Sequence, residues 1–286
     1  MTQELKVTVL VDNNTLIDRY FSGEPGLSFL IESGGKRVLF DTGYSDVFLC
    51  NAGRMGIDLL NLDYVVFSHG HLDHTGGFPH LLRHFTEASI EGVSRTLPDL
   101  IAHPYAFYPR PKPPLPNIGS LLNEEETRRH LPVRTTRAPL WLTRDLVFLG
   151  EIPRTFAFEE TDPGKRRIIF PDGRNEPDRL IDDSALAFRS KKGLVVITGC
   201  SHAGIGNITA YAREVCGEKR VANIIGGLHL ANAQQEKIRM TGKYLASLHL
   251  DALHCCHCTS LSATIALAAC CPVQETGVGM SLTYPE

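Results

Sequence analysis

The chain has 286 residues, 43% hydrophobic and 21% charged, with a formal net charge of −3. This is globular composition, and α/β folds reach this length as one domain, so a single domain over 1–286 is expected. The charge gives no electrostatic case for nucleic acid as a partner. No apolar run reaches the roughly 18 residues of a membrane helix, and the N-terminal stretch carries no basic segment leading into a signal-type apolar run. The expected setting is therefore the cytoplasm, without membrane attachment. The eight cysteines then read as thiols rather than a disulfide framework.

In chain order, Leu5–Val11 and Leu27–Glu32 read as strands. Gly34-Gly35 is a turn into a third strand, Lys36–Phe40, closed by Asp41-Thr42-Gly43. A helix is expected over Asp46–Met55. The short apolar run Tyr64–Phe67 suits a strand covered on both faces, and a helix from Phe78 to Phe85 follows. Residues 86–150 look less regular. The Pro- and aromatic-rich stretch 103–120 cannot be a continuous helix or a central strand. Its Tyr105, Phe107 and Tyr108 argue against disorder, and it reads as a substrate-facing lid insertion or, alternatively, a purely structural excursion. The second half alternates: strands at Ser184–Arg189 and Gly193–Thr198, a helix over Ile205–Val215, a strand at Val221–Ile225, and a helix over Gln234–Leu248. A strand at Leu250–His254, a helix over Ser262–Ala269 and a last strand at Gln274–Met280 complete the chain.

The chemistry concentrates at residues 67–77, FSHGHLDHTGG. His69, His71, Asp73 and His74 fall within six residues directly after an apolar strand, where a strand-end loop can splay them around one point. Neutral imidazoles suit zinc, iron and related divalent ions, and an adjacent carboxylate can bind a second ion. Gly76 and Gly77 are expected to permit the tight turn into the next helix.

This H-x-H-x-D-H pattern resembles the signature of the metallo-β-lactamase superfamily. The resemblance extends to the branch similar to archaeal dihydropterin–ribofuranosylaminobenzene phosphate synthases. It is carried by Gly26–Ile31, Asp41-Thr42-Gly43, Gly150–Arg154, Thr198–His202, Gly226–Leu230 and His257-Cys258-Thr259, in matching order over nearly the whole chain. The implied fold is an αββα sandwich, two mixed sheets with helices on both outer faces, and metals at one edge. Three departures stand out. No third histidine in an H-T-P-G-type motif occurs between residues 150 and 197, Cys200 stands where many members have Asp, and Ser260 where the branch has Gly.

The resemblance implies two divalent ions, zinc first, with manganese or iron as alternatives. His69, His71 and His202 are expected to hold one ion, and Asp73, His74 and His229 the other. Asp73 would also orient the nucleophile as the catalytic carboxylate. Cys200 and His257 are left as further ligands or supporting residues. Among other polar residues, Asp12, Asn13 and Asn14 read as a turn. Asp182 and Asp183 either support ligands or end a loop. Arg110, Lys112 and Arg154 could meet an anionic substrate, but each reads first as a solvated surface charge. The expected function is a metal-dependent hydrolase acting on a small, anionic phosphoester or a lactone-like substrate through a metal-activated hydroxide. The alternatives are a pterin-type synthase displacing pyrophosphate, an iron-dependent oxidoreductase, and a metal or ligand sensor.

Overall fold

The computed structural model describes residues 4–160 and 162–285. The first half supplies β1 (Glu4–Val11), β2 (Ser28–Ser33), β3 (Lys36–Phe40), α1 (Val47–Arg54), β4 (Tyr64–Val66), α2 (Leu72–Thr75), α3 (Phe78–Ile90), β5 (Asp99–Ala102), α4 (Glu124–Arg128) and β6 (Val133–Thr135). The second supplies β7 (Leu140–Trp141), β8 (Leu146–Phe148), β9 (Arg167–Ile169), β10 (Asn175–Pro177), β11 (Ala185–Ser190), β12 (Gly193–Thr198), α5 (Ile205–Cys216), β13 (Val221–Gly227), α6 (Gln235–Ser247), β14 (Ala252–Cys256), α7 (Leu261–Ala268) and β15 (Ser281–Pro285).

Two mixed sheets result, in the orders β15-β1-β2-β3-β4-β5-β6 and β14-β13-β12-β11-β8-β7. Their strands are apolar on both faces because both faces are covered. Along β12, Val195 and Ile197 point between the sheets while Leu194 and Val196 point outward, as the period of two requires. Between the sheets Val7, Phe29, Phe40 and Val66 meet Phe148, Phe188 and Ile225. Outside the first sheet lie α1 and α3; α3 buries Phe78, Leu81, Leu82 and Phe85 at helical spacing. Outside the second lie α5, α6 and α7, through Ile208, Ala212, Ile238, Leu245 and Leu267. This is the expected αββα sandwich.

The structure departs from the sequence reading in several places. Residues 86–150 contain β5 to β8, each of two to four residues. Such strands are too short to show alternation, and Pro98, Pro132 and Pro139 directly precede β5, β6 and β7. The last strand is Ser281–Pro285, not Gln274–Met280; in the latter stretch Val278 makes only an isolated bridge to Thr15, and Gly279 has φ +90°. Gly76 and Gly77 have ordinary helical φ of −64° and −72°. They are required for close approach instead: a Cβ on Gly77 would lie 2.1 Å from the Thr42 carbonyl oxygen.

Strand direction places the site. β3 and β4 run parallel, as do β12, β13 and β14. β1 is antiparallel to β2, itself antiparallel to β3, so β1 ends at the same edge as β3. The loops after these six strands therefore meet at one rim of the sandwich.

The 103–120 segment also departs from expectation. Phe107 is buried against Phe67 at 6.3 Å, and Tyr105 and Tyr108 pack with Phe170. Arg110 is fully buried rather than solvated; it pairs with Asp178 at 2.5 Å and Asp182 at 2.7 Å. These contacts anchor the segment, and its backbone joins the metal-motif loop where Leu72 N donates to the Ile118 carbonyl at 2.8 Å. Removing one partner of a buried ion pair leaves uncompensated charge, so Arg110→Met should destabilise the fold by about 3–5 kcal/mol. Urea unfolding checks this, and a loss below ~1 kcal/mol would contradict the anchoring role.

Candidate metal centre

His69 follows β4, His71 caps α2, and Asp73 and His74 lie within α2. The loop after β12 adds Cys200 and His202, the end of β13 adds His229, and the end of β14 adds His257 and Cys258.

Two sets of ligand atoms converge. In the first, His69 Nε2 lies 3.0 Å from His71 Nδ1, which lies 3.2 Å from His202 Nε2. In the second, His74 Nε2 is 3.1 Å from His257 Nε2, and Asp73 Oδ2 is 3.5 Å from His257 Nε2 and 3.9 Å from His74 Nε2. The structure thus places His257, not His229, with Asp73 and His74. His229 instead lies against His202, with ring centroids 4.1 Å apart and the rings tilted by 55°, because it follows β13 beside the β12 loop. Cys258, which the sequence offered only as part of a separate site among residues 254–258, instead joins this cluster, within 4.8 Å of both Cys200 and His257.

The outer nitrogens explain why the inner ones are free to ligate. Ser68 Oγ donates to Asp41 Oδ2 at 2.7 Å, so at 2.9 Å it can only accept from His69 Nδ1–H. That fixes the tautomer and leaves a lone pair on His69 Nε2. His74 Nδ1 donates to Asp41 Oδ2 at 2.7 Å, and His257 Nδ1 faces Asn13 Oδ1 at 3.2 Å. The nitrogen spacings also suit a shared ion, since tetrahedral ligands at about 2.0–2.1 Å stand about 3.3 Å apart.

Protonation differs between the two sets. Burial, then the neighbouring imidazoles, holds His69 and His71 well below the usual histidine range; burial and His229 do the same to His202. All three are neutral at pH 7, the form that binds metal. Burial also opposes charge on His74, but Asp41 and Asp73 outweigh it and raise its pKa to about 9. Burial opposes the Cys258 thiolate as well; its neighbours Cys200, His229 and His257 nevertheless draw the thiol well below its ordinary range.

Carboxylates hold the ligand loops. Asp182 accepts from Gly70 N at 2.8 Å, Asp183 from Ala203 N at 2.8 Å, and Asp12 from His257 N at 2.7 Å. Asp182 and Asp183 are thus supports, and Asp12, read as a turn residue, is one too. Above the cluster opens a cleft of about 790 Å³, lined by His71, Asp73, His202, His229 and His257 together with Lys112, Arg166, Leu115 and Ile118. Arg154 lies outside this lining; it donates to the Leu180 carbonyl at 2.6 Å. Arg166 was not singled out from the sequence, where nothing distinguishes it from Arg167 beside it.

A family model of the metallo-beta-lactamase superfamily matches residues 22–207. The 7,8-dihydropterin-6-methyl-4-(beta-D-ribofuranosyl)-aminobenzene-5'-phosphate synthase of Methanocaldococcus jannaschii is 31% identical over 270 residues, covering 91% of this chain and 89% of the relative. The crystal structure of Tm1679, described as a metal-dependent hydrolase of the beta-lactamase superfamily, superposes with TM-score 0.82 at 28% identity, covering 99% of this chain and 100% of that one. A diphosphatase from the PhnP family superposes with TM-score 0.54 at 17% identity, over 100% of this chain and 99% of that one, a likeness of fold. No helix among the described residues is long and apolar enough to cross a membrane.

The Asp41–His74 pair yields a pH prediction for metal-stripped protein. A histidine raised to about 9 contributes stability that is fully present below 6.5 and lost as pH rises through 9. Asp41→Asn removes the carboxylate charge and leaves burial dominant. NMR titration should show His74 protonated at pH 7 in the parent and neutral in the variant. An unchanged His74 titration would contradict the assignment.

Proposed function

The chain belongs to the metallo-β-lactamase superfamily, and from that premise we propose a metal-dependent hydrolase acting on a small phosphoester. One observation carries this reading. Two converging sets of ligand atoms floor a cleft that also holds the cations Arg166 and Lys112. The cations favour an anionic phosphoryl group over a neutral lactone.

His69, His71 and His202 would hold one divalent ion, and Asp73, His74 and His257 the other. Such ions, zinc first among them, lower the pKa of water and neutralise charge developing on a phosphoryl oxygen. The chain's own residues supply the rest. Asp73, with its side chain 38% exposed to the cleft, orients the attacking water and accepts its proton. Arg166 stands close enough that its charge acts on both His71 and His202. It binds the phosphoryl oxygens against that imidazole face, with Lys112 on the 112–118 rim. His229, its Nδ1 without a hydrogen-bond partner among the described residues, gives a proton to the departing oxygen. Leu115, Pro116 and Ile118 narrow the cleft as a lid and exclude water from the reacting group.

A second reading is displacement of pyrophosphate by an aromatic acceptor. The 31% identity to the synthase over 91% of the chain favours it. The floor of the site serves both readings; only the acceptor differs.

Metal analysis with a screen of phosphomonoesters, phosphodiesters and diphosphates tests the proposal. About two metal equivalents are expected per chain, with His71→Ala losing metal and Asp73→Asn turning over roughly 100- to 10,000-fold more slowly. Reaction in ¹⁸O-labelled water should place the label in the product. Label-free turnover that requires an aromatic acceptor would establish the synthase reading instead. Protein that neither carries nor takes up metal would overturn both.

A further inference from the structure

We propose that a second cavity, behind His229, receives the leaving group of the phosphoester, and that this leaving group is an uncharged aromatic alcohol. The inference rests on the phosphoester reading above and names the half of the substrate that the metal cleft does not hold.

The cavity has a volume of about 580 Å³ and shares His229 and Ala231 with the metal cleft. That volume falls within the roughly 300–1,000 Å³ of small-molecule sites. The direction of reaction decides what enters it. In hydrolysis the water oxygen bonds to phosphorus as the bond from phosphorus to the leaving oxygen breaks, with the two oxygens in line. Asp73 takes the water's proton, His229 gives one to the leaving oxygen, and solvent exchange resets both. The products are inorganic phosphate and a free alcohol. Asp73 converges with His74 and His257, whereas His229 converges with Cys200 and His202. No group of described ligand atoms within 4.8 Å of one another contains both Asp73 and His229. The alcohol therefore departs on the side away from Asp73, past His229, where the second cavity opens.

The dividing wall is fixed. His229 has a left-handed φ of +51° and its N donates to Cys258 Sγ at 3.2 Å. On either side, Leu228 N donates to Thr259 Oγ1 at 3.0 Å and Ser260 Oγ to the Leu230 carbonyl at 3.3 Å. Phe158 and Met240 form the apolar part of the cavity. Phe158 packs on Phe156 at 5.6 Å and Tyr244 at 6.5 Å. Its segment is pinned to the start of α5, where Phe156 N donates to Asn207 Oδ1 at 3.0 Å and Glu159 accepts from Gly206 N at 2.8 Å. Met240 and Tyr244 lie four residues apart on one face of α6. A fixed ring beside a thioether suits a flat aromatic group, and the amides of Asn232 and Gln234 add hydrogen-bonding partners. The lining carries Glu160, Asp162 and Glu236 against Lys237. Even with Glu236 paired to Arg239 at 2.6 Å, it holds a surplus of negative charge, the opposite of the Lys112 and Arg166 side. A second phosphate or a carboxylate is thereby disfavoured in the leaving group.

Methyl NMR on the full chain locates the subsite without an activity assay. The chain has four methionines, and Met240→Leu assigns the Met240 signal in methyl-¹³C-methionine protein. Titration with 2-naphthol should shift the Met240 methyl to saturation and leave Met55 and Met280 in place. Phe158→Ala should weaken this binding about tenfold. In turnover, 2-naphthyl phosphate should exceed 4-(carboxymethyl)phenyl phosphate in kcat/KM by about tenfold, and Phe158→Ala should erase most of that preference. Circular dichroism establishes that the variant is folded. Hydrolysis of both esters with an unmoved Met240 methyl, or with a preference that survives in Phe158→Ala, would overturn the subsite and leave the hydrolase reading standing. Turnover of no phosphoester would overturn the hydrolase reading, and the leaving-group assignment with it.

Discussion

The site depends on one buried carboxylate. Asp41 ends β3 at φ +58°, a left-handed conformation that aspartate tolerates better than most residues. Its Oδ1 accepts from Ser68 N at 2.7 Å, and its Oδ2 accepts from both Ser68 Oγ and His74 Nδ1 at 2.7 Å. Its carbonyl accepts from Ser28 Oγ at 2.9 Å. It therefore orients His69 through Ser68 and His74 directly, one residue from each set of ligand atoms. The β12 loop of the opposite sheet packs onto the same carboxylate at Gly199. A buried carboxylate is tolerable only when several donors offset its lost hydration, and here the donors belong to the ligand-bearing loop itself.

The same device recurs around the rim. Asp182 fixes the backbone at Gly70, Asp183 at Ala203 and Asp12 at His257. Ligand-bearing segments from three different strands are thus tied through a backbone N–H to a buried carboxylate on another segment. Side-chain rotamers alone would not hold imidazoles from separate loops within 3.1–3.2 Å of one another. Asp182 also pairs with Arg110, so the segment that rims the cleft is coupled to the loop that carries His69 and His71.

Much of this was legible in the sequence because it is local. Doubly covered strands announce themselves as apolar runs, and His69, His71, Asp73 and His74 lie together in the chain. The αββα architecture was implied by the family resemblance that the motifs carry, and the apolar runs agree with it. What was not legible is long-range pairing. His229 and His257 both follow late strands, and nothing local says which reaches Asp73; the parallel order β12-β13-β14 decides it. Arg110 looks like any surface arginine until Asp178 and Asp182, some seventy residues on, close around it. Cys258 reads as one thiol in a run of them until the Cys200 loop is laid beside it. Strands β5 to β8 escaped notice because two to four residues cannot display a period.

The central claim is that two ions occupy the two converging sets of ligand atoms. Anomalous diffraction at the zinc edge from zinc-loaded crystals tests it most directly. The account predicts two peaks about 3.5–4 Å apart, one among His69, His71 and His202 and one among Asp73, His74 and His257. Peaks elsewhere on the molecule, or no peak at this rim under conditions where zinc is present in excess, would contradict it.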